Sequence, residues 1–414
     1  MTSTPILDGT DAAACERKTA RTGERATPRI EKVGQVWHIR SYEAVRQVLR
    51  QGSATRQAGF NSEAVRKARP KARPPVIFQD GQEHRTQRSA IARFFAPATV
   101  SKRYRRLMEE RADAITQEFV RVGRLDLPHA TMLYSVEVAA QVVGLTNSDP
   151  DEMARRLEAF FDMSPVAPGA DAGRFGRLLA VARSLRTMPA MMRFNKADVQ
   201  PAVAARRTQP QDDVISHLIA QGYSEEEILI ECITYGAAGM ITTREFISMA
   251  TWHLLERPEL RDRYLVAPEP ERHAILDEIL RLEPVVGHLF RRTTAPLTLT
   301  DGEATYEIAA GELLDLYLRA ANADPSAVGD APLALCPGRE LAAGVRPEAM
   351  GFGDGNHKCP GNFIATQETD VFLQRLLRLP IRLASTPRIE WDELISGYAV
   401  RSLILELTSP DVPE

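Results

Sequence analysis

The stretch Gly351–Gly361, GFGDGNHKCPG, holds a single thiol in a loop rich in glycine. Glycine has no Cβ, so the backbone N–H groups of Gly353, Gly355 and Gly361 can turn toward the sulfur of Cys359 without steric conflict. A thiolate is a strong, soft metal ligand, and N–H groups directed at it hold it in place and moderate its donation of electrons. The loop is therefore suited to a cysteine that ligates a metal.

Other interpretations of this loop have to be weighed. A zinc site would need three further Cys, His or carboxylate ligands at close spacing, and only His357 is near. A phosphate-binding loop would need GxxxxGK[ST], or GxGxxG behind a strand, and neither pattern is present. Cys15, Cys232 and Cys336 are far apart in sequence, which argues against a disulfide framework or a CxxC metal knuckle. A buried structural cysteine in a turn stays open on the loop alone.

The composition bounds the class of protein. The chain has 414 residues, of which 44% are hydrophobic, and a formal net charge of −3. It can bury a large core, and an allowance of ~150 residues per domain suggests two or three domains. With this net charge, the chain has no overall positive potential that would favour binding to nucleic acid or to an anionic membrane. The sequence shows neither an export signal nor an apolar run of the ~18 residues that a membrane-spanning helix needs. We expect a soluble, cytoplasmic protein with no nucleic-acid or membrane partner.

The first half of the chain reads as mainly helical. Residues 1–30 lack an apolar period and are expected to form a mobile leader, and a short strand from Val36 is expected to run into a helix. Residues 61–75 are basic and interrupted by proline, which predicts a loop. Apolar residues then recur at helical spacing from Glu83 to about Val122 and from Asp149 to about Phe194.

The second half begins with the longest predicted helix. Ser224 and Glu227 form a capping box, and the first proline after them is Pro258, so the pattern predicts one continuous helix that crosses the domain. A further helix is expected over Glu269–Leu282, followed by two short strands around an Asp301-Gly302 turn. Residues 320–350 are rich in Pro, Gly and Ala and predict an irregular segment.

The pattern Phe352-x-x-Gly355-x-x-x-Cys359-x-Gly361 resembles the haem-binding loop of the cytochrome P450 family, with His357 where members commonly carry His or Arg. The resemblance implies a haem b whose iron is ligated by Cys359, with Phe352, Gly353, His357 and Gly361 around it. It also implies a mainly α fold with a small β portion (α+β), in which a long central helix crosses the haem. It replaces the length-based domain count with a single domain over residues 31–414.

The pair Glu278 and Arg281 resembles the ExxR motif of the same family. By itself, a Glu and an Arg three residues apart on a helix are usually a solvated surface pair. The pair lies some eighty residues before the cysteine loop, and in the family it fixes the irregular segment beneath the haem. Arg339 is the candidate third member of this structural group, although its spacing to Phe352 is longer than is common.

The run AAGMITT, Ala237–Thr243, lies near the middle of the long predicted helix. A glycine within a helix costs about 1 kcal/mol relative to alanine, which close packing at small residues or a ligand could offset. The run resembles the family's A-G-x-[DE]-T-T, with Ala238 and Gly239 over the haem and Thr242 supplying a catalytic hydroxyl. Ile241 departs from the pattern, because most members have an acid there. Glu245, four residues on, is proposed as the alternative source of protons, while a role of Arg244 and Glu245 in surface ion pairs stays open.

Two haem propionates need cationic partners, because unpaired buried carboxylates are costly. His84 and Arg88 stand four residues apart and resemble the family's HxxxR. Arg291 or Arg292 falls where members place another propionate arginine, and counting back from the LTL that follows favours Arg291. With His357 these residues give about four donors.

The resemblance implies a haem-thiolate monooxygenase. Electrons are expected from a separate ferredoxin and ferredoxin reductase, docked on Lys358 and on Lys102–Arg106. For Lys102–Arg106 a solvated helix end stays open as the alternative, and a monomer is expected. A peroxide-driven peroxygenase would suit Ile241, and a non-catalytic haem sensor or carrier is the third class considered. By family position the substrate pocket should include Tyr235, Ala238, Ile241, Val285, Val286, Leu289, Tyr398, Ala399 and Val400.

These pocket residues are mostly apolar, so a small, largely apolar metabolite is expected as substrate. Hydroxylation, epoxidation and ring coupling all stay open. The basic stretch Arg66–Arg73 lies where the family often has a pocket lid. It suggests an anionic substrate or one tethered to an acidic carrier protein, while a mobile, solvated lid is the better supported explanation of the charge.

Overall fold

The computed structural model describes residues 16–21, 26–60, 62–68, 73–161, 188–392 and 395–408. Helices dominate it, and the mainly α fold with a small β portion is confirmed. The α-helical segments are Tyr42–Arg50, Ser62–Ala68, Gly81–Phe95, Pro97–Thr99, Arg105–Val122, Leu127–Val143, Pro150–Phe161, 188–194, Gln200–Thr208, Val214–Ala220, Glu225–Tyr235, Thr242–Leu255, Pro258–Val266, Glu269–Leu282, Leu318–Ala321, Pro325–Val328 and Asn362–Leu376. The π-helical segments are Val100–Tyr104, Asn195–Val199 and Gly236–Ile241, and the 3₁₀ turns are Val76–Phe78 and Gly355–His357.

Twelve strands form four small sheets in the described residues. They are β1 (Ile30–Val33), β2 (Val36–Ile39), β3 (Thr55–Gln57), β4 (Arg124–Asp126), β5 (His288–Thr293), β6 (Leu297–Asp301), β7 (Ala304–Ile308), β8 (Leu313–Tyr317), β9 (Ile381–Leu383), β10 (Arg388–Asp392), β11 (Gly397–Arg401) and β12 (Ile404–Leu407). The largest sheet has the order β1-β2-β8-β5-β3, with only β2 and β8 parallel. The other sheets are β6-β7, β10-β11 and β4-β12-β9.

Several sequence predictions are confirmed in detail. The helix Glu269–Leu282 has the predicted ends, and the strand from Val36 runs into the helix Tyr42–Arg50, which is capped by the Ser41 side chain. Gly302 turns the β6-β7 hairpin with a φ of 62°, a conformation that suits glycine. The helix Leu127–Val143, for which the sequence analysis made no prediction, is buried along most of its length and packs against Thr242–Leu255 in the main apolar core.

The prediction of a loop over residues 61–75 is wrong, because Ser62–Ala68 is a helix. Its side chains are tied to the surrounding backbone. Ser62 Oγ donates to the Gln57 carbonyl at 3.0 Å, and Arg66 donates to the same carbonyl at 2.8 Å. These tertiary contacts outweigh the composition of the segment, which by itself favours a loop. Residues 69–72 lie outside the described part.

The prediction of a mobile leader over residues 1–30 is also wrong where the structure describes it. Thr19 is buried, and its backbone N–H donates to Glu283 Oε2 at 3.2 Å, while the Thr19 hydroxyl and the Lys18 N–H also donate to the Glu283 carboxylate. His253 Nε2 lies 3.2 Å from the same carboxylate. A buried carboxylate is costly unless it is hydrogen-bonded, so the Glu283 carboxylate favours the ordered position of Lys18 and Thr19, which supply hydrogen bonds to it in addition to the contact with His253. Residues 1–15 and 22–25 lie outside the described part.

The prediction of one regular helix from Ser224 to Arg257 needs correction. The capping box of Ser224 and Glu227 is present, but the helix comprises two α-helical segments joined by the π-helical segment Gly236–Ile241. We call this element the interrupted helix. π-helical turns within α-helices occur frequently at functional sites, and this one contains Gly236 and Gly239, the second of which belongs to the AAGMITT run. No helix in the described residues has both the length and the apolar character needed to cross a bilayer.

Candidate functional site

The cysteine loop is packed closely against the helix Tyr42–Arg50. Gly353 and Gly355 have φ values of 68° and 64°, in the region that favours glycine. A Cβ on Gly355 would lie 2.1 Å from the Leu49 carbonyl oxygen, so the close approach also requires glycine. The Cys359 N–H donates to the Phe352 carbonyl at 2.9 Å and closes the loop. The sequence therefore fixes the position of the sulfur through backbone geometry.

Replacing Gly355 by alanine should destabilise this loop. The left-handed backbone costs about 1–2 kcal/mol for a residue with a Cβ, and the contact with Leu49 adds to this cost. We expect a loss of about 2 kcal/mol or more in the free energy of unfolding, measured by urea titration. Gly34→Ala is the control, because Gly34 has a φ of 60° and no atom within 4 Å of its Cβ position. Equal losses in the two variants would contradict the packing argument.

The thiol of Cys359 lies beside two positively charged residues. Burial raises its pKa, while the Gly361 N–H and the charges of Arg88 and Lys358 oppose that rise. A bound metal ion favours the thiolate far more strongly than these neighbours do. The sulfur is 3.9 Å from the Cβ position of Gly361, which is an ordinary van der Waals distance, so the two groups are in contact.

Four cationic or potentially cationic residues gather beside this loop. His84 stacks on His357 with ring centroids 4.0 Å apart and an interplanar angle of 20°. Burial, together with the charges of His357 and Arg88, lowers the pKa of His84 to about 3. Burial also lowers the pKa of Arg291 to about 10. The Arg88 guanidinium donates to the Lys358 carbonyl, next to Cys359.

This cluster fits a cofactor that carries two carboxylates. His84 is 2% exposed and its Nε2 has no hydrogen-bond partner, while Arg291 is 4% exposed and donates to the Gln57 side chain and the Phe290 carbonyl rather than to a carboxylate. Among the described residues, Asp80 supplies the acid nearest to the histidines, 3.4 Å from His357 Nε2. The positive charge of Arg291 is costly to bury without a partner, and the two propionates of a haem would balance it and hydrogen-bond to His84.

The structure distinguishes Arg291 from Arg292. Adjacent residues of a strand point to opposite faces of the sheet. Arg292 makes a two-bond ion pair with Glu63, at 2.6 and 2.8 Å, on the face away from the cluster. Arg291, favoured from the sequence, is the one that lies with His84 and His357.

Glu278, Arg281 and Arg339 form one buried group. Arg281 has no exposed surface and donates to both oxygens of Glu278, at 2.6 and 2.8 Å. Arg339 Nε donates to Glu278 Oε1 at 3.0 Å, so the residue proposed from the sequence lies in contact despite its unusual spacing. Both arginines also donate to carbonyl groups of the irregular segment, at residues Asn322, Val328, Ala331, Pro332 and Ala334. The group thus connects the helix Glu269–Leu282 to the segment that leads into the cysteine loop.

The π-helical segment presents small residues beside an open space. Ala238 is exposed and Gly239 is half-buried, although the neighbouring Met240 and Ile241 are buried. Thr242 is half-buried, and its hydroxyl donates to the Ala238 carbonyl at 2.6 Å. Ala238 and Thr242 are therefore accessible from one side of the helix, as a ligand resting on it requires.

The expectation that Glu245 supplies protons to Thr242 needs correction. Glu245 has no exposed surface, and its Oε1 accepts from Arg244 at 2.8 Å and from Arg401 at 3.3 Å. Its Oε2 accepts from the Val400 N–H at 2.6 Å. Both oxygens are occupied, and these bonds join the interrupted helix to β11.

Glu245→Gln should therefore affect stability rather than proton delivery. An amide cannot accept at both ends, so one of its donors is left unpaired. Hydrogen bonds to charged groups contribute about 1.5–3 kcal/mol, and we expect a loss of about 2 kcal/mol in the free energy of unfolding. The check is urea unfolding together with the ratio of product to electrons consumed, which should be unchanged. Glu110→Gln, on an exposed ion pair with Arg106, is the control.

The residues proposed for the substrate pocket divide into two groups. Tyr235, Val286 and Leu289 are partly exposed, and Leu289 reaches within 3.9 Å of the Cβ position of Gly353. Apart from the exposed Ala238, the other side chains proposed for the pocket are buried: Ile241, Val285, Tyr398, Ala399 and Val400. The Tyr398 hydroxyl donates to the Glu283 carbonyl at 3.3 Å, so it is engaged within the protein.

Phe95 is a site residue that the sequence analysis missed. Its ring stacks on Tyr235 with centroids 6.3 Å apart and an interplanar angle of 18°, and it lies 4.0 Å from the Cβ position of Gly361. Phe95 is seven residues after Arg88 on the same helix, so the two share a face. This spacing of seven residues from Arg88 was the feature of the sequence from which Phe95 could have been predicted as a site residue.

Comparison with known proteins places this site in a family. The cytochrome P450 family profile matches residues 272–379, which include the group of Glu278 and the cysteine loop. The mycinamicin IV hydroxylase/epoxidase of Micromonospora griseorubida is 28% identical over 87% of this chain and 86% of its own length. The erythromycin C-12 hydroxylase of Saccharopolyspora erythraea is 26% identical over 83% and 81%. The chain belongs to the cytochrome P450 family.

The solved structures agree in fold with this cytochrome P450. P450BioI, solved in complex with an acyl carrier protein carrying hexadec-9Z-enoic acid, superimposes with a TM-score of 0.73 at 22% identity, over 92% of this chain and 96% of its own. Membership of the family makes the chain a monooxygenase with a cysteine-ligated haem iron. The cluster of His84, Arg88, Arg291 and His357 beside Cys359 is consistent with that cofactor.

Proposed function

We propose that this cytochrome P450 uses dioxygen to hydroxylate a small, largely apolar metabolite, with electrons from a separate ferredoxin and its reductase. The observation that carries the proposal is the group of donors beside Cys359, in which the buried His84 Nε2 has no hydrogen-bond partner and the buried Arg291 makes no bond to a carboxylate. The names of two relatives specify hydroxylation, and one of them epoxidation as well, which supports hydroxylation as the reaction.

The roles proposed for the residues follow from their positions. When bound, the haem supplies the activation of dioxygen. Cys359 ligates its iron, and Arg88 and Arg291 bind its propionates with His84 and His357. Thr242 keeps its hydroxyl at the open side of the interrupted helix, where its oxygen can accept and pass on a proton.

The substrate class rests on the partly exposed side chains near the site. The Tyr235 ring, Val286 and Leu289 offer apolar contact, and pockets of this kind bind ligands mainly through apolar surface. Epoxidation and ring coupling are alternative outcomes for the same pocket.

The proposed ferredoxin surface combines Lys358 with Lys102–Arg106. Lys358 is 3.2 Å from Glu348, and Arg105 is 2.9 Å from Glu269, so part of this charge is paired within the chain. Charged residues at the edge of a protein interface affect mainly the rate of association and the dependence of that rate on salt concentration. We therefore expect reduction by ferredoxin to slow as the salt concentration rises.

A carrier-tethered substrate has weaker support. Arg66 is directed inward to Gln57, and the Arg73 guanidinium lies over the Tyr223 ring at 4.1 Å, while residues 69–72 lie outside the described part. P450BioI, which binds an acyl carrier protein, shares the fold alone with this chain. Salt-insensitive binding of the substrate would rule this option out.

A peroxide-driven peroxygenase is the second candidate, because Ile241 is apolar and Glu245 is engaged with Arg244, Arg401 and Val400. Peroxide brings the oxygen already reduced, so it needs less proton delivery from the protein. The distinguishing experiment first records the spectrum of the reduced, CO-bound protein and then screens compounds for the low-spin to high-spin shift. Turnover of a hit with ferredoxin and reductase supports the monooxygenase, and turnover with hydrogen peroxide alone supports the peroxygenase.

We further propose that residues 31–414 form a single domain, and that the protein is a cytoplasmic monomer. Contacts between distant parts of the chain support the single domain. β4 from the first half pairs with β12 near the end, and β2 pairs with β8. Sedimentation of the purified protein as one species of 45.9 kDa would support the monomer.

A further inference from the structure

Glu231 is a buried carboxyl group for which the proposed chemistry has no use. It lies on the interrupted helix and is 1% exposed. Its Oε1 accepts from the Val76 N–H at 2.9 Å, and its Oε2 has no hydrogen-bond partner. A glutamine would hold the Val76 N–H equally well without a titratable group, so the contact with Val76 does not explain the acid.

A second orphan group lies one turn further along the same helix. The Tyr235 hydroxyl is buried and has no hydrogen-bond partner, although the Tyr235 ring is partly exposed and stacks on Phe95 beside the cysteine loop. Residues four apart lie on the same helix face, and the charge of Glu231 contributes to raising the pKa of Tyr235, after burial itself. The two groups therefore lie on one face of the interrupted helix, and the Tyr235 ring belongs to the proposed substrate pocket.

The surroundings of Glu231 contain little positive charge. Burial raises its pKa to about 8, against the opposing Val76 N–H and the charge of Arg73. The Arg73 guanidinium lies over the Tyr223 ring, and Glu227, one turn before Glu231, accepts from the Arg73 N–H at 3.1 Å. The charged and titratable groups nearest to Glu231 are Arg73, Tyr223, Glu227, Cys232 and Tyr235. Asp213, the next acid, is paired with Arg206.

We propose that Glu231 Oε2, with the Tyr235 hydroxyl one turn further along the helix, is a recognition site for a protonated amine on the substrate. This inference rests on the proposed function and narrows its substrate class to apolar metabolites that carry a basic nitrogen. The amine donates to Glu231 Oε2 and supplies the positive charge that the surrounding residues lack. A buried ion pair with a ligand forms only when the carboxyl group is ionised, so binding releases a proton from Glu231 at neutral pH.

The test uses the haem-loaded enzyme and two probes of equal chain length, N,N-dimethyldecylamine and decan-1-ol, with the spin-state shift as the measure of binding. Glu231→Gln should weaken binding of the amine by about 30-fold or more, because removing one partner of a buried charge pair costs that much affinity. Binding of the alcohol should be unchanged. Affinity of the wild type for the amine should rise from about pH 6 to about pH 8 and then level off, since Glu231 ionises over this range.

Glu227→Gln is the matched control, because Glu227 lies on the same helix and also holds the Arg73 segment, but is partly exposed. Equal affinity of the amine for the wild type and Glu231→Gln overturns the proposal, as does failure of the amine to bind the wild type. The CO-bound spectrum of each variant separates these results from a failure of the proposed function. An intact thiolate spectrum with no preference for the amine removes only the amine site.

Discussion

Cys359→Ser should abolish the thiolate spectrum of the reduced, CO-bound protein and reduce monooxygenase turnover to background. Serine keeps the size of the side chain but replaces a soft thiolate by a hydroxyl, which is a poor ligand for haem iron and a weak electron donor. The backbone of the loop should be unaffected, because the bond from the N–H of residue 359 to the Phe352 carbonyl does not involve the side chain. The measurements are the CO-difference spectrum and the haem content per chain.

Cys336→Ser is the control for this substitution. Cys336 is an exposed free thiol, and its contact with the buried group is made by its backbone N–H, which donates to Glu278 Oε1 at 2.9 Å. We expect a normal spectrum and normal turnover. An unaltered thiolate spectrum in Cys359→Ser would show that another residue ligates the iron, and the proposed site would be wrong.

Arg281→Met should cost about 3–5 kcal/mol in the free energy of unfolding, as expected when one partner of a buried ion pair is removed. The substitution leaves the Glu278 carboxylate without two of its donors, and it removes donors from the Asn322, Pro332 and Ala334 carbonyls. Because these carbonyls lie in the segment before the cysteine loop, we also expect poor retention of haem. Urea unfolding and the ratio of haem to protein absorbance measure the two effects.

The pair Glu118 and Arg121 provides a matched control. It has the same spacing of three residues on a helix, but its side chains are 58% and 73% exposed. Exposed pairs of this kind contribute little to stability, so Arg121→Met should leave the unfolding midpoint unchanged. If Arg281→Met also left the unfolding midpoint unchanged, the proposed contribution of the buried ion pair between Glu278 and Arg281 to stability would be wrong.

The site was predictable from the sequence where chemistry and spacing constrain each other. Cys359 within its glycines, Glu278 with Arg281, and His84 with Arg88 all occupy short motifs whose members must meet on one loop or one helix face. Arg291 could be preferred to Arg292 only by counting, and the alternation of β5 then separated them physically. The helix Glu269–Leu282 was predictable because its apolar period matches its buried face.

The wrong predictions from the sequence share a physical cause, because the local structure in each case depends on residues far away in the chain. The helix Ser62–Ala68 relies on carbonyls at residues Gln57 and Phe78, and the segment around Thr19 is held by Glu283, far along the chain. Glu245 shares a helix with Thr242, so the sequence suggested a common task. Besides the adjacent Arg244, its partners are Arg401 and Val400, which lie on a strand that no local pattern connects to it.

The π-helical turns at Gly236–Ile241 affect how variants of this enzyme should be chosen. Each residue inserted by such a turn rotates the following residues by about 100° relative to a regular α-helix. A helical wheel drawn through Glu225–Leu255 in a single frame will therefore assign wrong orientations on one side of the insertion. In the design of mutant libraries for this helix, side-chain orientations should be assigned with one helical wheel for the residues before the π-helical segment and a second wheel for the residues after it.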